Sequence, residues 1–258
     1  MPTRSRLSLP FLIPLLLACT ALLALTAYLL GGSPTARAER RPLTEAAGTV
    51  EGASGNDPPI TCVVIVAGHG GEDGGASSAA GVLEKDLNLS VAFALRDLLE
   101  AAGVPVVMTR TEDKLLYDRN VDFQGRKKVL DLAARRIVAE KTAAAAAKSG
   151  GTSLFISIHM NAFPAPQYSG MQVWYGTGDS LSAEVAGAIQ AASLAVMPEN
   201  HRQIKAAGSN IYLLDRIQSP AVLVECGFLS NPAEAERLAR EDYQRAVAAV
   251  VFAGVMGR

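Results

Sequence analysis

Apolar and polar positions are distributed differently in the first 59 residues and in the rest of the chain. Leu7 to Leu30 runs for 24 residues without a charge, interrupted only by Pro10 and Pro14, behind a short start that carries Arg4 and Arg6. As a helix, such a run spans about 30 Å of hydrocarbon, whereas the core of a cleaved signal peptide is about 7 to 15 residues long. Residues 1–30 therefore read as an uncleaved signal anchor. Cleavage at the small-x-small stretch Ala36-Arg37-Ala38 is a second reading. Lipidation at Cys19, behind Leu16-Leu17-Ala18, is a third, although the apolar run continues for 11 residues past that cysteine. Arginines flank the run on both sides, so charge alone leaves its orientation open. Residues 31–59 are rich in Gly, Pro, Ala, Thr and Glu with no apolar period, and read as a disordered tether about 30 Å end to end.

From Ile60 onward, short apolar runs alternate with stretches of helical period. Cys62–Ala67 is a continuous apolar strand ending in Gly68-His69-Gly70-Gly71. Leu87, Val91, Leu95, Leu98 and Leu99 give Lys85–Ala102 a helical stripe. Strands are expected at Pro105–Thr109, Leu154–Ile158, Val173–Tyr175, Ile211–Leu214 and Ala221–Cys226. Helices are expected at Arg126–Lys148, closed by Gly150-Gly151, and at Ser182–Met197, Asn231–Arg240 and Glu241–Val255, with Ser230 or Asn231 as a cap. This alternation predicts an α/β fold: a single three-layer domain over 60–258, with a mixed, mostly parallel sheet of about six strands and helices on both faces.

Composition narrows the function. Lys and Arg number 24 against 25 Asp and Glu, and from Ile60 the balance is 19 to 21, a net charge of −2. With aromatic residues at 5%, neither the charge nor the stacking surface for nucleic acid is present. Three cysteines, Cys19, Cys62 and Cys226, cannot make a disulfide framework, and no CxxC pair suggests a structural zinc site. If the strands of Cys62 and Cys226 both point their C-terminal ends at one site, Cys62 lies seven residues before His69, about 23 Å back at the strand rise, which is too far to bridge. Both thiols are expected to be free, and Cys226 is expected to face packing.

Histidine is scarcer still, and its placement is informative. His69 and His159 follow apolar strands, and Glu225 ends a third. Ligands in open α/β sheets bind outside the carboxyl ends of strands. Glu84 starts a helix 15 residues after His69, where a returning loop brings it to the same crevice. Two imidazoles and one carboxylate are a standard set for catalytic Zn2+, with water in the fourth position, and Glu225 is the candidate for the water's proton. The bland alternatives are a turn histidine for His69, a helix-start carboxylate for Glu84 and a packed core histidine for His159. Gly68–Gly75 lacks the Lys-Ser/Thr ending of a phosphate loop. His201 has no motif partner and reads as an exposed loop residue.

Four ordered blocks carry a resemblance. Gly68-His69-Gly70-Gly71-Glu72-Asp73-Gly74-Gly75, Leu83-Glu84-Lys85-Asp86 with Asn88-Leu89, Ser157-Ile158-His159-Met160-Asn161-Ala162, and Leu223-Val224-Glu225-Cys226-Gly227-Phe228-Leu229-Ser230-Asn231 resemble the zinc-dependent N-acetylmuramoyl-L-alanine amidases of the amidase-3 family. Ala67, where the family usually has Pro, and Cys226, in place of a small apolar residue, depart from the pattern without touching a candidate ligand. The resemblance implies one zinc ion held by His69, Glu84 and His159, with Glu225 as the catalytic carboxylate. It also implies peptidoglycan as substrate, cut between N-acetylmuramic acid and L-alanine. The short anchored layout is most similar to the spore-cortex, germination-specific branch. The absence of wall-binding repeats makes targeting depend on the membrane anchor or on an activator or targeting protein, with the catalytic domain outside the cytoplasm. Between His159 and Glu225 there is no room for an inhibitory helix like that of division-associated relatives. Asn161 and the loop Phe163–Gly170 are candidates for substrate contact. Two alternatives are a membrane-tethered, inactive wall-binding or activator module, and a zinc peptidase cutting within the stem peptide.

Overall fold

In a computed structural model of the chain, the structure describes residues 58–118, 120 and 124–257. The expected anchor over 1–30 and almost all of the tether lie outside them. Among the described residues no helix is long and apolar enough to cross a membrane.

The elements in chain order are β1 (Ile60–Ala67), α1 (Glu84–Ala101), β2 (Val106–Met108), α2 (Lys127–Lys148), β3 (Thr152–Asn161), β4 (Gln172–Tyr175), α3 (Leu181–Ala192), β5 (Lys205–Ala206), α4 (Tyr212–Arg216), β6 (Ala221–Phe228), α5 (Pro232–Leu238) and α6 (Glu241–Met256). The six strands form one sheet in the order β2-β1-β3-β6-β4-β5. Every pairing is parallel except β4 with β6.

The continuous apolar runs of β1, β3 and β6 reflect burial on both faces, as parallel strands require. Because side chains alternate along a strand, each run feeds two cores. Val63, Ile65, Leu154, Ile156, Ile158, Val222 and Val224 pack against α1, α3 and α6, with Cys226 buried among them. Val64, Val66, Phe155 and Ala221 pack against Ala139 of α2 and against Leu213 and Leu214 of α4. The result is the expected three-layer arrangement. Both Cys62 and Cys226 are free thiols.

The chain leaves β1 through α1 to β2 on one side, then crosses through α2 to β3 on the other. The strand order therefore reverses between β1 and β3, which is where an open α/β sheet forms its ligand crevice.

Three expectations change. Ile211–Leu214 does not form a strand; Tyr212–Arg216 is a helical turn whose Leu213 and Leu214 are buried against the sheet face. A short apolar run satisfies burial in either conformation, so its pattern does not distinguish them. The edge position is instead taken by Lys205–Ala206, a two-residue strand beside Trp174 and Tyr175 with no sequence signal of its own. His159 and Glu225 lie within their strands, because β3 and β6 run on to Asn161 and Phe228. Of the two cap candidates, Asn231 caps α5, accepting hydrogen bonds from the backbone N–H of Ala233 (3.0 Å) and Glu234 (3.1 Å).

Ile156 is fully buried on β3, between β1 and β6. Ile156→Ala is expected to destabilise the protein by about 2 to 5 kcal/mol, from lost transfer free energy and the cavity left behind. Val129→Ala, at a position 59% exposed, should stay within about 0.5 kcal/mol. Equal shifts for the two variants in denaturant unfolding would contradict this placement of the core.

Candidate metal centre

Glu84 is the first residue of α1, yet its side chain is only 3% exposed. Its carboxylate is satisfied from several directions. Oε2 accepts the Ala76 N–H at 2.8 Å, and Oε1 accepts the Met160 N–H at 3.1 Å and Asn88 Nδ2 at 3.2 Å. The same Oε1 lies 2.9 Å from His159 Nδ1 and 3.2 Å from His69 Nε2. One ligand atom from each of His69, Glu84 and His159 falls within 4.8 Å of the others. The imidazole rings stand edge to face, with centroids 5.2 Å apart. Two imidazoles and one carboxylate converging in this way fit a divalent metal ion with one coordination position left for water.

The surroundings hold these donors in place. Asp73 Oδ2 lies 2.9 Å from His69 Nδ1, an electrostatic contact on the ring nitrogen turned away from Glu84, as outer carboxylates of metal-bound histidines are placed. His69 has φ of 60°, a left-handed conformation rare outside glycine. Two buried arginines fix the backbone on either side of it. Arg135 donates to the carbonyls of Ala67 and His69, both at 2.7 Å, and Arg110 donates to those of Ala67 (2.9 Å) and Gly68 (3.0 Å). Asp131 balances Arg135 at 2.7 Å. Glycine is required at two places beside the donors. A Cβ on Gly68 would collide with the His159 ring, and one on Gly75 (φ 67°) would collide with Glu84 and His69.

Glu225 is aligned with His159 across β3 and β6. Its Oε2 is buried with no hydrogen-bond partner in the protein. A cleft of about 290 Å³ opens there, lined by His69, His159 and Glu225 together with parts of α2 and the Asn210–Leu213 segment. The two carboxyl groups differ in proton affinity. Burial opposes ionisation of Glu84, but hydrogen bonds from His159 and His69 outweigh it and hold the carboxyl well below the usual range. For Glu225, burial first and the charge of Glu84 second push the carboxyl up to about 8. Burial lowers the His159 pKa against the pull of Glu84, which favours the neutral, ligating form.

A family profile described as N-acetylmuramoyl-L-alanine amidase matches residues 63–256. The chain belongs to that family.

Among its relatives, the germination-specific N-acetylmuramoyl-L-alanine amidase of Bacillus subtilis (strain 168) is 37% identical over 189 residues, 73% of this chain and 76% of the relative. Of solved structures, the CwlD amidase from Clostridioides difficile, in complex with the GerS lipoprotein, superposes with a TM-score of 0.69 at 34% identity. That match covers 76% of this chain and 97% of the other. The catalytic domain of CwlV, an N-acetylmuramoyl-L-alanine amidase from Bacillus (Paenibacillus) polymyxa var. colistinus, gives 0.61 at 29% identity, covering 77% and 97%.

Of the residues singled out from the sequence, His69, Glu84, His159 and Glu225 come together. Asn161 ends β3, two residues past His159, and its carbonyl accepts the Leu229 N–H at 2.8 Å. His201 is 86% exposed, as expected of a loop residue. Sequence reasoning missed Asp73, Asn88, Arg110 and Arg135. Asp73 and Asn88 lie inside motif blocks, whereas Arg110, one residue past an expected strand, and Arg135, within a helix, carry no local signal.

Two outcomes are expected of the amidase. Metal content after desalting should be about one ion per chain, and Glu84→Gln or His159→Ala should release most of it; full retention by either variant would exclude these residues as ligands. Metal-free protein should lose stability as pH falls below the ordinary carboxyl value of 4.5. A depressed folded pKa gives stability that is present above the unfolded value and is lost as the folded group protonates. Thermal melts of the chelated protein between pH 7 and 3 should show this dependence, flattened by Glu84→Gln.

Proposed function

We infer that this amidase is a zinc-dependent hydrolase that cuts the amide between the lactyl group of N-acetylmuramic acid and the L-alanine of the stem peptide. The observation that carries the reading is the convergence of His69, Glu84 and His159 beside an unpartnered buried carboxylate, Glu225. Bound there, zinc supplies Lewis acidity to the scissile carbonyl and to the attacking water.

The protein's own groups do the remaining work. Ionised Glu84 and neutral His159 keep the donor set in its ligating state, while Arg110 and Arg135 hold the His69 backbone. In its ionised form Glu225 takes a proton from water and returns it to the departing amine of L-alanine, acting as base and then as acid. Its environment raises its proton affinity while that of Glu84 is lowered, and such divergence between neighbouring carboxyls separates their roles. Neither a serine nor a cysteine nucleophile is required. Cys226 is fully buried, and burial raises its thiol pKa further.

In the same reading, residues 1–30 anchor the enzyme in the membrane, residues 31–59 tether it, and the catalytic domain works on the outer side. The germination-specific name of the Bacillus subtilis relative supports a role in spore-cortex remodelling. The complex of the Clostridioides difficile CwlD amidase with a lipoprotein supports a protein partner for this chain as well.

Digestion of purified peptidoglycan with the full-length protein, followed by mass analysis, is expected to release intact stem peptides beginning with L-alanine, and chelator should abolish the release. Glu225→Gln should retain metal and lose about 10²- to 10⁴-fold of activity. Cleavage inside the stem would identify a peptidase instead, and full activity of metal-loaded Glu225→Gln would remove Glu225 from the mechanism.

A further inference from the structure

The cleft continues past the metal donors. Its floor is a single row across the sheet, Val66, Ser157 and Leu223, paired in register on β1, β3 and β6. That row lies two residues before the His159–Glu225 row, about 7 Å deeper at the rise of a strand. One wall is the face of α2 that presents Lys128, Asp131, Leu132 and Arg135, whose spacing puts them on one side of a helix. Asn210–Leu213 forms the facing wall.

Ser157 and Lys128, which both line this cleft, serve neither the fold nor the donor set. The Ser157 side chain is 1% exposed, lines the cleft, and has no hydrogen-bond partner for its hydroxyl. Buried hydroxyls are normally satisfied, so one left open in a cleft is free to bond a ligand. Lys128 is the cation of this wall left for a ligand. Arg135 is engaged by Asp131 and by two backbone carbonyls, and the neighbouring Lys127 pairs with Glu72. The charge of Lys128 reaches Asp73, which His69 already engages.

The ligand follows from size and chemistry, and the step rests on the amidase reading. A glycan strand continues on both sides of a muramic acid residue and must lie across an open surface. The stem peptide is a branch, and about 290 Å³, at the small end of ligand-sized pockets, suits one or two of its residues. The apolar part of the floor, Val66 and Leu223, matches the methyl group of L-alanine. A buried hydroxyl matches a backbone amide. A cation matches the α-carboxylate that a γ-linked glutamate at the second stem position leaves free unless it is amidated. The geometry points to this cleft as the subsite for the first two stem residues: Ser157 bonds their backbone and Lys128 pairs with the free α-carboxylate, so that isoglutamate stems are preferred over isoglutamine stems.

The test measures binding of two dipeptides, L-alanyl-γ-D-glutamate and L-alanyl-D-isoglutamine, to the full-length protein by calorimetry. The acid should bind about fivefold tighter than the amide. Lys128→Met should bring the ratio to about one, and Lys128→Arg should retain the preference. Ser157→Ala should weaken both dipeptides by about threefold to tenfold and leave their ratio unchanged. Equal affinities in the wild type, a ratio that survives Lys128→Met, or no binding of either dipeptide would overturn the subsite. With peptidoglycan still cut at the lactyl amide, any of those results would leave the amidase reading standing. Cleavage inside the stem would remove that reading itself.

Discussion

A carboxylate buried to 3% exposure at the head of the sheet must be surrounded by donors, and most of the site is arranged to meet that requirement for Glu84. An ionised group out of water is unfavourable unless it is paired and hydrogen-bonded. Glu84 receives two backbone N–H groups, one side-chain amide and two imidazoles, contributed by four separate parts of the chain. Placing the carboxylate at the start of α1 also sets it where the helix dipole favours negative charge. The requirement reaches outward. The Gly74–Ala76 turn must approach closely, so Gly75 cannot carry a side chain, and Gly68 must leave room for the His159 ring that contacts the same carboxylate.

The second requirement is a rigid left-handed turn at His69. A non-glycine residue held at positive φ persists only where its surroundings over-determine it. Here the carbonyls of Ala67, Gly68 and His69 are gripped by two guanidinium groups, Arg110 arriving from the end of β2 and Arg135 from α2. Packing two cations side by side has an electrostatic consequence. Burial first, and the charge of Arg135 second, bring the Arg110 pKa down to about 10. Asp131 offsets part of that repulsion and also accepts the Leu116 N–H at 2.8 Å, which ties the loop before α2 to the same network. The candidate metal donors, loop backbone and cleft wall are thus one hydrogen-bonded unit.

The rim beyond β3 and β6 has a different character. Phe163 and Tyr168 stack edge to face with centroids 4.9 Å apart, and Arg202 lies 4.3 Å over the Phe228 ring. The Phe163 N–H is held by Ser230 Oγ at 3.0 Å, and Asn231 Nδ2 reaches the Tyr168 carbonyl at 3.3 Å. The loop expected to meet substrate is therefore a packed aromatic surface braced by the residues after β6, in contrast to the polar candidate metal site.

What was legible in the sequence was whatever rests on periodicity and on chemically rare residues. The apolar runs of β1, β3 and β6 announced strands buried on two faces, the stripe from Leu87 to Leu99 announced α1, and two histidines and two glutamates set beside strand and helix ends announced a site. Elements with weak local patterns were not legible. Ile211–Leu214 satisfies burial equally well as strand or helical turn, and Lys205–Ala206 is a strand only because Trp174 and Tyr175 offer it an edge. Arg110 and Arg135 belong to this second group as well. Nothing in their own neighbourhoods distinguishes them, because their roles depend on carbonyls that lie 42 to 68 positions away in the chain. The sequence by itself determined the α/β class, which follows from local hydrophobic period, and, through four ordered motif blocks, pointed to the family and to a candidate donor set. Only the tertiary structure decided which groups fix the donors and which face of α2 walls the cleft, since those are long-range contacts that no local pattern encodes.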